Sequence, residues 1–350
     1  MTRLPQVDMA YVEDLLVKML AIPSPAGYTE EAVALLEREV AALGLETRRT
    51  NKGGLLVTIP GTDDDNHRLL SGHVDTLGAM VREVKSSGRL KYVPIGGGWA
   101  QAIEGEYCTV ITSGGGRHTG TILTTKAAAH VYGKEGQDLE RKHENMEIRL
   151  DERVRTADEV RALGIGVGDF VAFDTRTVVT PAGFIKSRHL DDKASVAAMF
   201  GVLRTLVQGG MTPAATTHWF VTNFEEVGHG AAVGAPPRTK EFIAVDMGCV
   251  GDGIQATEFD VSICARDSSG PYDLGLRQRL VELCREHEIP HAVDIYPFYG
   301  SDASAALRAG ADVRAIVIGP GVDASHAFER THLEAIRATA DLLLAYVLTG

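Results

Sequence analysis

Cysteine, long apolar runs and excess positive charge are all scarce in this chain of 350 residues. Its four cysteines, Cys108, Cys249, Cys264 and Cys284, form no CxxC pair, which excludes a zinc knuckle and argues against a secreted disulfide framework. Reduced, partly buried thiols are expected. No apolar stretch reaches the roughly 20 residues needed to span a bilayer. The opening "MTRLPQVDMAYVEDLL" lacks the uninterrupted apolar core of a secretion signal, so the expected compartment is the cytoplasm. With 35 basic against 47 acidic side chains, the formal net charge of -12 argues against a general affinity for nucleic acid or anionic membrane, though it does not prevent a local basic patch.

What is present is an ordinary globular composition, 44% hydrophobic and 23% charged. Two helices are expected first: "YVEDLLVKML", then "TEEAVALLEREVAALG", with Thr29 placed as N-cap and Gly44 as stop. "GLLVTIPG" and "RLLSGHVD" read as strands. Residues 80–178 change texture, with short strand-like pieces between glycine clusters and one helix whose Thr156 and Glu159 stand at capping-box spacing. From Asp191 the chain alternates again: helix "DKASVAAMFGVLRTLV", strands "TTHWFVTN" and "FIAVD", helix "DLGLRQRLVELCREHE", strand "AVDIYP", helix "DASAALRAG", strand "VRAIVIGP" and a closing helix "HLEAIRATADLLLAYVL". The expected fold is α/β, a mixed, partly parallel sheet covered by helices. Residues 1–79 and 179–350 make that domain, interrupted by a small β-rich domain at 80–178.

Five places put an acid or histidine at or just beyond the end of a predicted strand, where α/β sheets bind ligands. They are "SGHVD" (His73, Asp75), "RHLDDK" (Asp191, Asp192), "NFEEVG" (Glu225, Glu226), "AVDMG" (Asp246) and "DASHAF" (His326). Singly, each has a plain reading: a turn, a helix N-cap, a solvated acidic face. Jointly, flanked by small residues, they describe a pocket too rich in carboxylate to be stable without cations. A pair of divalent ions about 3.5–4 Å apart needs one shared ligand and can activate water for attack on a carbonyl. A further carboxylate must stay free to move the proton. Adjacent Glu225 and Glu226 suit that division, one as base and one as ligand.

In order and spacing these motifs resemble the M42 family of metallo-aminopeptidases, the glutamyl and tetrahedral aminopeptidase group. The likeness runs almost end to end, through "IPSPAGYTEEA", "SGHVDTLG", "HENMEIRLDERVRTADEVRALGIGVGDFVAFD", "RHLDDKASVAAM", "TNFEEVGHGAA", "IAVDMG", "YGSDASAALRAG" and "GPGVDASHAFERTH". The insertion between His73 and Asp191 matches the M42 order and separates the chain from the related M20 group. The resemblance implies two divalent ions per subunit, zinc or cobalt, bridged by Asp191, with His73 and Asp246 at one and Glu226 and His326 at the other. Glu225 would be the general base, and Asp75 would orient His73 by accepting its second ring proton. Asp192 would hold the adjacent loop, and Asp302 would lie near the substrate's amino group. It further implies short peptide substrates and a homo-oligomer, up to a dodecamer, in which the inserted domain serves assembly and access. Thr76 stands where the family commonly has an acid, which leaves open a specialised amidohydrolase acting on a small N-acylated dipeptide amide. A noncatalytic scaffold is the remaining alternative.

Overall fold

The computed structural model describes residues 4–350. Strand Asp63–His73 runs through the middle of the main sheet, with Ala215–Thr222 and Thr239–Val245 parallel to it on either side. Arg314–Asp323 continues the parallel set beyond Thr239–Val245. Antiparallel strands flank this centre, Leu55–Ile59 on one side and Val261–Asp267 on the other. The sheet is therefore mixed, with a parallel core, as its apolar strands predicted. Ala215–Thr222 is buried at every residue although it carries three threonines and a histidine, because both faces of a parallel sheet are covered.

Helix Leu190–Gln208 packs on Asp63–His73 and is flanked by Met9–Leu20 and Leu333–Leu348. Most of its circumference is apolar or small, the pattern of a helix enclosed on all sides. Gly201 sets its approach to Met9–Leu20: an added Cβ would lie 2.5 Å from Val12 Cγ2. The shorter helix Asp302–Arg308 packs on Thr239–Val245 and Arg314–Asp323. No described helix is long and apolar enough to cross a membrane, and all four cysteines are free thiols.

Six short strands between Gly78 and Phe173 close into an antiparallel barrel. Closure pairs every edge and gives the barrel its own core, which includes Val81, Leu90, Val110, Ile122, Ile148 and Val171. The capping box at Thr156 and Glu159 is formed. Thr29, expected to cap the second helix, makes no such bond: its hydroxyl instead accepts from the Asn223 side chain at 3.2 Å.

At Gly319 the sheet leaves no room for a side chain, since a Cβ there would lie 2.1 Å from the Asp246 carbonyl oxygen. Overpacking of this kind costs roughly 1–3 kcal/mol. Gly319→Ala should therefore melt below the unchanged protein in a thermal scan; an identical melting temperature would show that the strand can shift freely.

Candidate metal centre

Neighbouring strand ends and the start of one helix deliver the chemistry-bearing side chains. His73 ends strand Asp63–His73, Glu225 and Glu226 follow Ala215–Thr222, and Asp246 follows Thr239–Val245. Asp191 stands at the start of helix Leu190–Gln208, where its backbone departs from helical geometry (φ -72°, ψ 106°). His326 lies in the loop after Arg314–Asp323, at a positive φ of 62°. His73, Asp191 and Asp246 place ligand atoms within 4.8 Å of one another, and so do Asp191, Glu226 and His326. Asp191 belongs to both groups. One of its oxygens lies 3.2 Å from His73 Nε2 and the other 3.4 Å from His326 Nε2. His326 Nε2 is also 3.4 Å from Glu226. Glu225 belongs to neither group; its carboxylate lies 3.7 Å from His73 Nε2.

Most of the surrounding polar groups fix these side chains through their backbones. His73 Nδ1 meets the main-chain carbonyl of Asp75 at 2.9 Å, whereas the Asp75 carboxylate is 3.7 Å away. That carboxylate accepts the amides of Glu225 at 3.1 Å and Glu226 at 3.3 Å, so Asp75 holds the glutamate loop as well as the histidine. This differs from a simple carboxylate–imidazole pair: the carbonyl is the nearer partner of the ring. Asp192 accepts the His73 amide at 3.1 Å.

Asp302 is buried, its oxygens taken by the Thr222 hydroxyl at 2.5 Å and the Ala231 amide at 2.7 Å. It therefore closes the loop carrying Glu225 and Glu226, a different task from reaching a substrate amine. Gly230 permits this closure, because a Cβ there would lie 2.1 Å from Asp302 Oδ1. Thr76 is buried with its hydroxyl donating to the Leu77 carbonyl, so its side chain is engaged locally.

Glu329 was not singled out by the sequence pattern. Its two oxygens accept the amides of Asp191 and His326, each at 3.1 Å, and so tie together two residues 135 positions apart. Its only sequence signal is an acid three places after His326. The barrel also reaches the centre: the Gly97 carbonyl bonds His326 Nδ1, leaving Nε2 facing Asp191 and Glu226. Buried Arg188 reinforces the junction, donating to Glu106 at 2.7 Å, to Ala102 O at 2.6 Å and to Ala327 O at 3.0 Å.

Burial and mutual repulsion hold protons on several of these acids. Burial raises Asp75 to about 6, and burial together with Asp191 raises Asp246 to about 7 and Glu329 to about 8. Glu225 and Glu226 lie well above the usual carboxylate range, chiefly through burial and then through neighbouring carboxylates. Burial disfavours charge on His326, yet Asp191 and Glu226 raise its pKa to about 10. Glu226 Oε1 and Asp192 Oδ1 are buried with no hydrogen-bond partner. A buried, partnerless carboxylate oxygen beside imidazoles and further carboxylates is what a divalent ion would satisfy, and the N/O donor set fits zinc or a similar metal. The residues present fit two such ions.

A cleft of about 500 Å³ opens over both groups, lined in part by Trp99, Glu225, Met247, Phe298, Tyr299 and Arg308. A second cavity of about 620 Å³ includes Thr109, Asp151 and His189 in its lining but none of the predicted site residues. The candidate metal ligands therefore face the first.

Residues 53–342 match the M42 glutamyl aminopeptidase family. The YhfE protein of Bacillus subtilis is 51% identical over 334 residues, covering 95% of this chain and 96% of its own. Among solved structures, the TET1 peptidase of Pyrococcus horikoshii superposes with a TM-score of 0.86 at 20% identity, covering 97% of this chain and 100% of that one. The aminopeptidase APDkam598 of Desulfurococcus kamchatkensis gives 0.87 at 20% identity, with 97% and 95% covered. These two likenesses concern the fold. The family match and the Bacillus relative settle membership: this chain belongs to the M42 peptidase family.

The raised carboxyl groups give the metal-free chain a defined pH response. An unfolded chain releases such protons near pH 4. Stability from the protonated buried form is present below that and is lost as pH rises through about 6 for Asp75, 7 for Asp246 and 8 for Glu329. A cation held by Asp246 would replace the proton there and, by its charge, lower the pKa of the neighbouring Asp75 and Glu329. The rise in melting temperature on adding zinc or cobalt should therefore grow between about pH 5.5 and pH 8. Chelator-treated controls at each pH cancel groups that titrate elsewhere; an increment that shrinks with pH would contradict the site.

Proposed function

We propose that the chain is a dinuclear-metal aminopeptidase that removes N-terminal residues from short peptides. The observation that carries this reading is the sharing of Asp191 between two adjacent ligand groups within an M42 chain. His73, Asp191 and Asp246 would hold one ion, and Asp191, Glu226 and His326 the other. Two such ions, zinc or cobalt, would supply Lewis acidity toward the scissile carbonyl and lower the pKa of water.

Two cations beside Glu225 would offset the burial and the neighbouring carboxylates that raise its pKa. Ionised in this way, Glu225, outside both groups but beside His73, takes the proton from the attacking water as the carbon–oxygen bond forms. It returns that proton to the nitrogen as the carbon–nitrogen bond breaks. Asp75 keeps Glu225 in place through its amide while the Asp75 carbonyl fixes the tautomer of His73. Asp302 and Glu329 hold the two loops at their working spacing. Residues 1–79 and 179–350 form the catalytic domain, and residues 80–178 serve assembly and access. The TET1 peptidase of Pyrococcus horikoshii is described as assembling into a tetrahedron or an octahedral shell, which supports a homo-oligomer here, up to a dodecamer. The compartment assigned is the cytoplasm, in keeping with the free thiols.

Glu225→Gln tests the assignment of the base. With two metals still bound by elemental analysis, its turnover on unblocked tripeptides should fall by about 10²–10⁴-fold, the scale of lost acid–base catalysis. Near-normal turnover would remove Glu225 from that role. N-acetylated and amidated substrates run alongside identify an amidohydrolase, should those alone be cleaved.

A further inference from the structure

The glycine run Gly96–Gly98 follows barrel strand Leu90–Ile95 and passes against the ligand group of Asp191, Glu226 and His326. A Cβ added at Gly96 would lie 2.4 Å from Leu77 Cδ2 and 3.3 Å from the Glu226 carbonyl oxygen. One added at Gly97 would come within 4.0 Å of His326 Nδ1. The backbone itself therefore rests on this group, and side chains are excluded. Three glycines in succession have the greatest conformational freedom of any residues and no side chains to anchor them. Something outside the run must fix it.

His143 supplies the clamp. It lies in the single turn His143–Asn145 before barrel strand Met146–Leu150, and its Nε2 meets the Gly98 carbonyl at 3.0 Å. A carbonyl only accepts, so Nε2 carries the proton and Nδ1 is left as acceptor. The hydroxyl of Tyr92, a buried residue of the barrel core, lies 3.2 Å from that Nδ1 and fills it. The same reasoning one residue earlier sets His326. Its Nδ1 donates to the Gly97 carbonyl, so Nε2 is the nitrogen offered to an ion beside Asp191 and Glu226. The two carbonyls belong to successive residues of one run. Order therefore passes from Tyr92 through His143 and the glycines to one ligand of one group. His73, in the other group, takes its carbonyl from Asp75 instead.

We propose that His143 is a positioning residue for the metal site of Asp191, Glu226 and His326: through Gly98 it holds the Gly97 carbonyl in place, and that carbonyl aims His326 at the ion. This rests on the dinuclear reading above and adds to it a barrel residue that contacts no ligand directly, and that acts on one site of the two.

The test is cobalt binding by the chelator-stripped full-length protein, followed by calorimetry and by the visible absorption of the bound ion. His326→Ala first identifies which binding step belongs to the site. His143→Leu keeps bulk but donates nothing. It should weaken that step by about tenfold, the lower end of what losing an outer hydrogen-bond partner costs a metal site, and leave the other step unchanged. His143→Gln retains a side-chain N–H and should restore most of the affinity. Added to His326→Ala, His143→Leu should cost nothing further, because its effect runs through the missing ring. Circular dichroism verifies folding. Should His143→Leu fail to fold, Tyr92→Phe carries the same test: a smaller loss confined to the same step supports the assignment, and none overturns it. An unaltered step in folded His143→Leu, an equal loss at both steps, or failure of His143→Gln to restore binding would each overturn the proposal. Fewer than two ions on the unchanged chain would overturn the dinuclear reading and the proposal with it, a result distinct from two normal steps in His143→Leu.

Discussion

Concentrated buried negative charge is the constraint around which this molecule is organised. Asp75, Asp191, Asp192, Glu226, Asp246, Asp302 and Glu329 are largely withdrawn from water around two histidines, His73 and His326. A cluster of that kind contributes nothing to stability by itself; its charges must be neutralised by protons or by cations. Raised carboxyl pKa values show the first route in the metal-free chain. Asp191, shared by both ligand groups, makes the second route available at two places at once.

Everything nearby serves to hold that arrangement rigid against its own repulsion. The parallel strands bring His73, Glu226 and Asp246 to one end of the sheet. Backbone amides do much of the remaining work: Asp75, Asp302 and Glu329 each accept from loops that carry or support a ligand. Phe224 and His326 stand at positive φ, an unfavourable geometry for non-glycine residues that surrounding contacts maintain. The barrel contributes a carbonyl to the orientation of His326 and anchors itself through Glu106 and Arg188. It is therefore coupled to the site as well as appended to it.

Much of the fold was legible in the sequence because buried parallel strands and covered helices leave coarse apolar patterns. "TTHWFVTN" and "DKASVAAMFGVLRTLV" show this well, since their lengths and periods leave little choice. Closure of the short strands into a barrel was not legible, because register and closure depend on pairings that no single strand encodes. The acids and histidines could be recognised as a set from their places after strands. Their division between two groups could not be read from spacing; family resemblance supplied that expectation. Glu329, and the actual partners of Asp75 and Asp302, escaped notice for one physical reason. Their partners are main-chain amides or hydroxyls brought near by loop geometry, which leaves little trace in residue type.

The central claim is that one carboxylate, Asp191, is common to two metal sites. Its most direct test is metal binding by the chelator-stripped protein, comparing Asp191→Asn with the unchanged chain by calorimetric titration and elemental analysis, with circular dichroism to verify folding. Two ions per unchanged chain, and loss of tight binding at both sites in the folded variant, is the predicted result. A folded Asp191→Asn protein that keeps one ion at full affinity would show that the sites are independent and that the shared-ligand account is wrong.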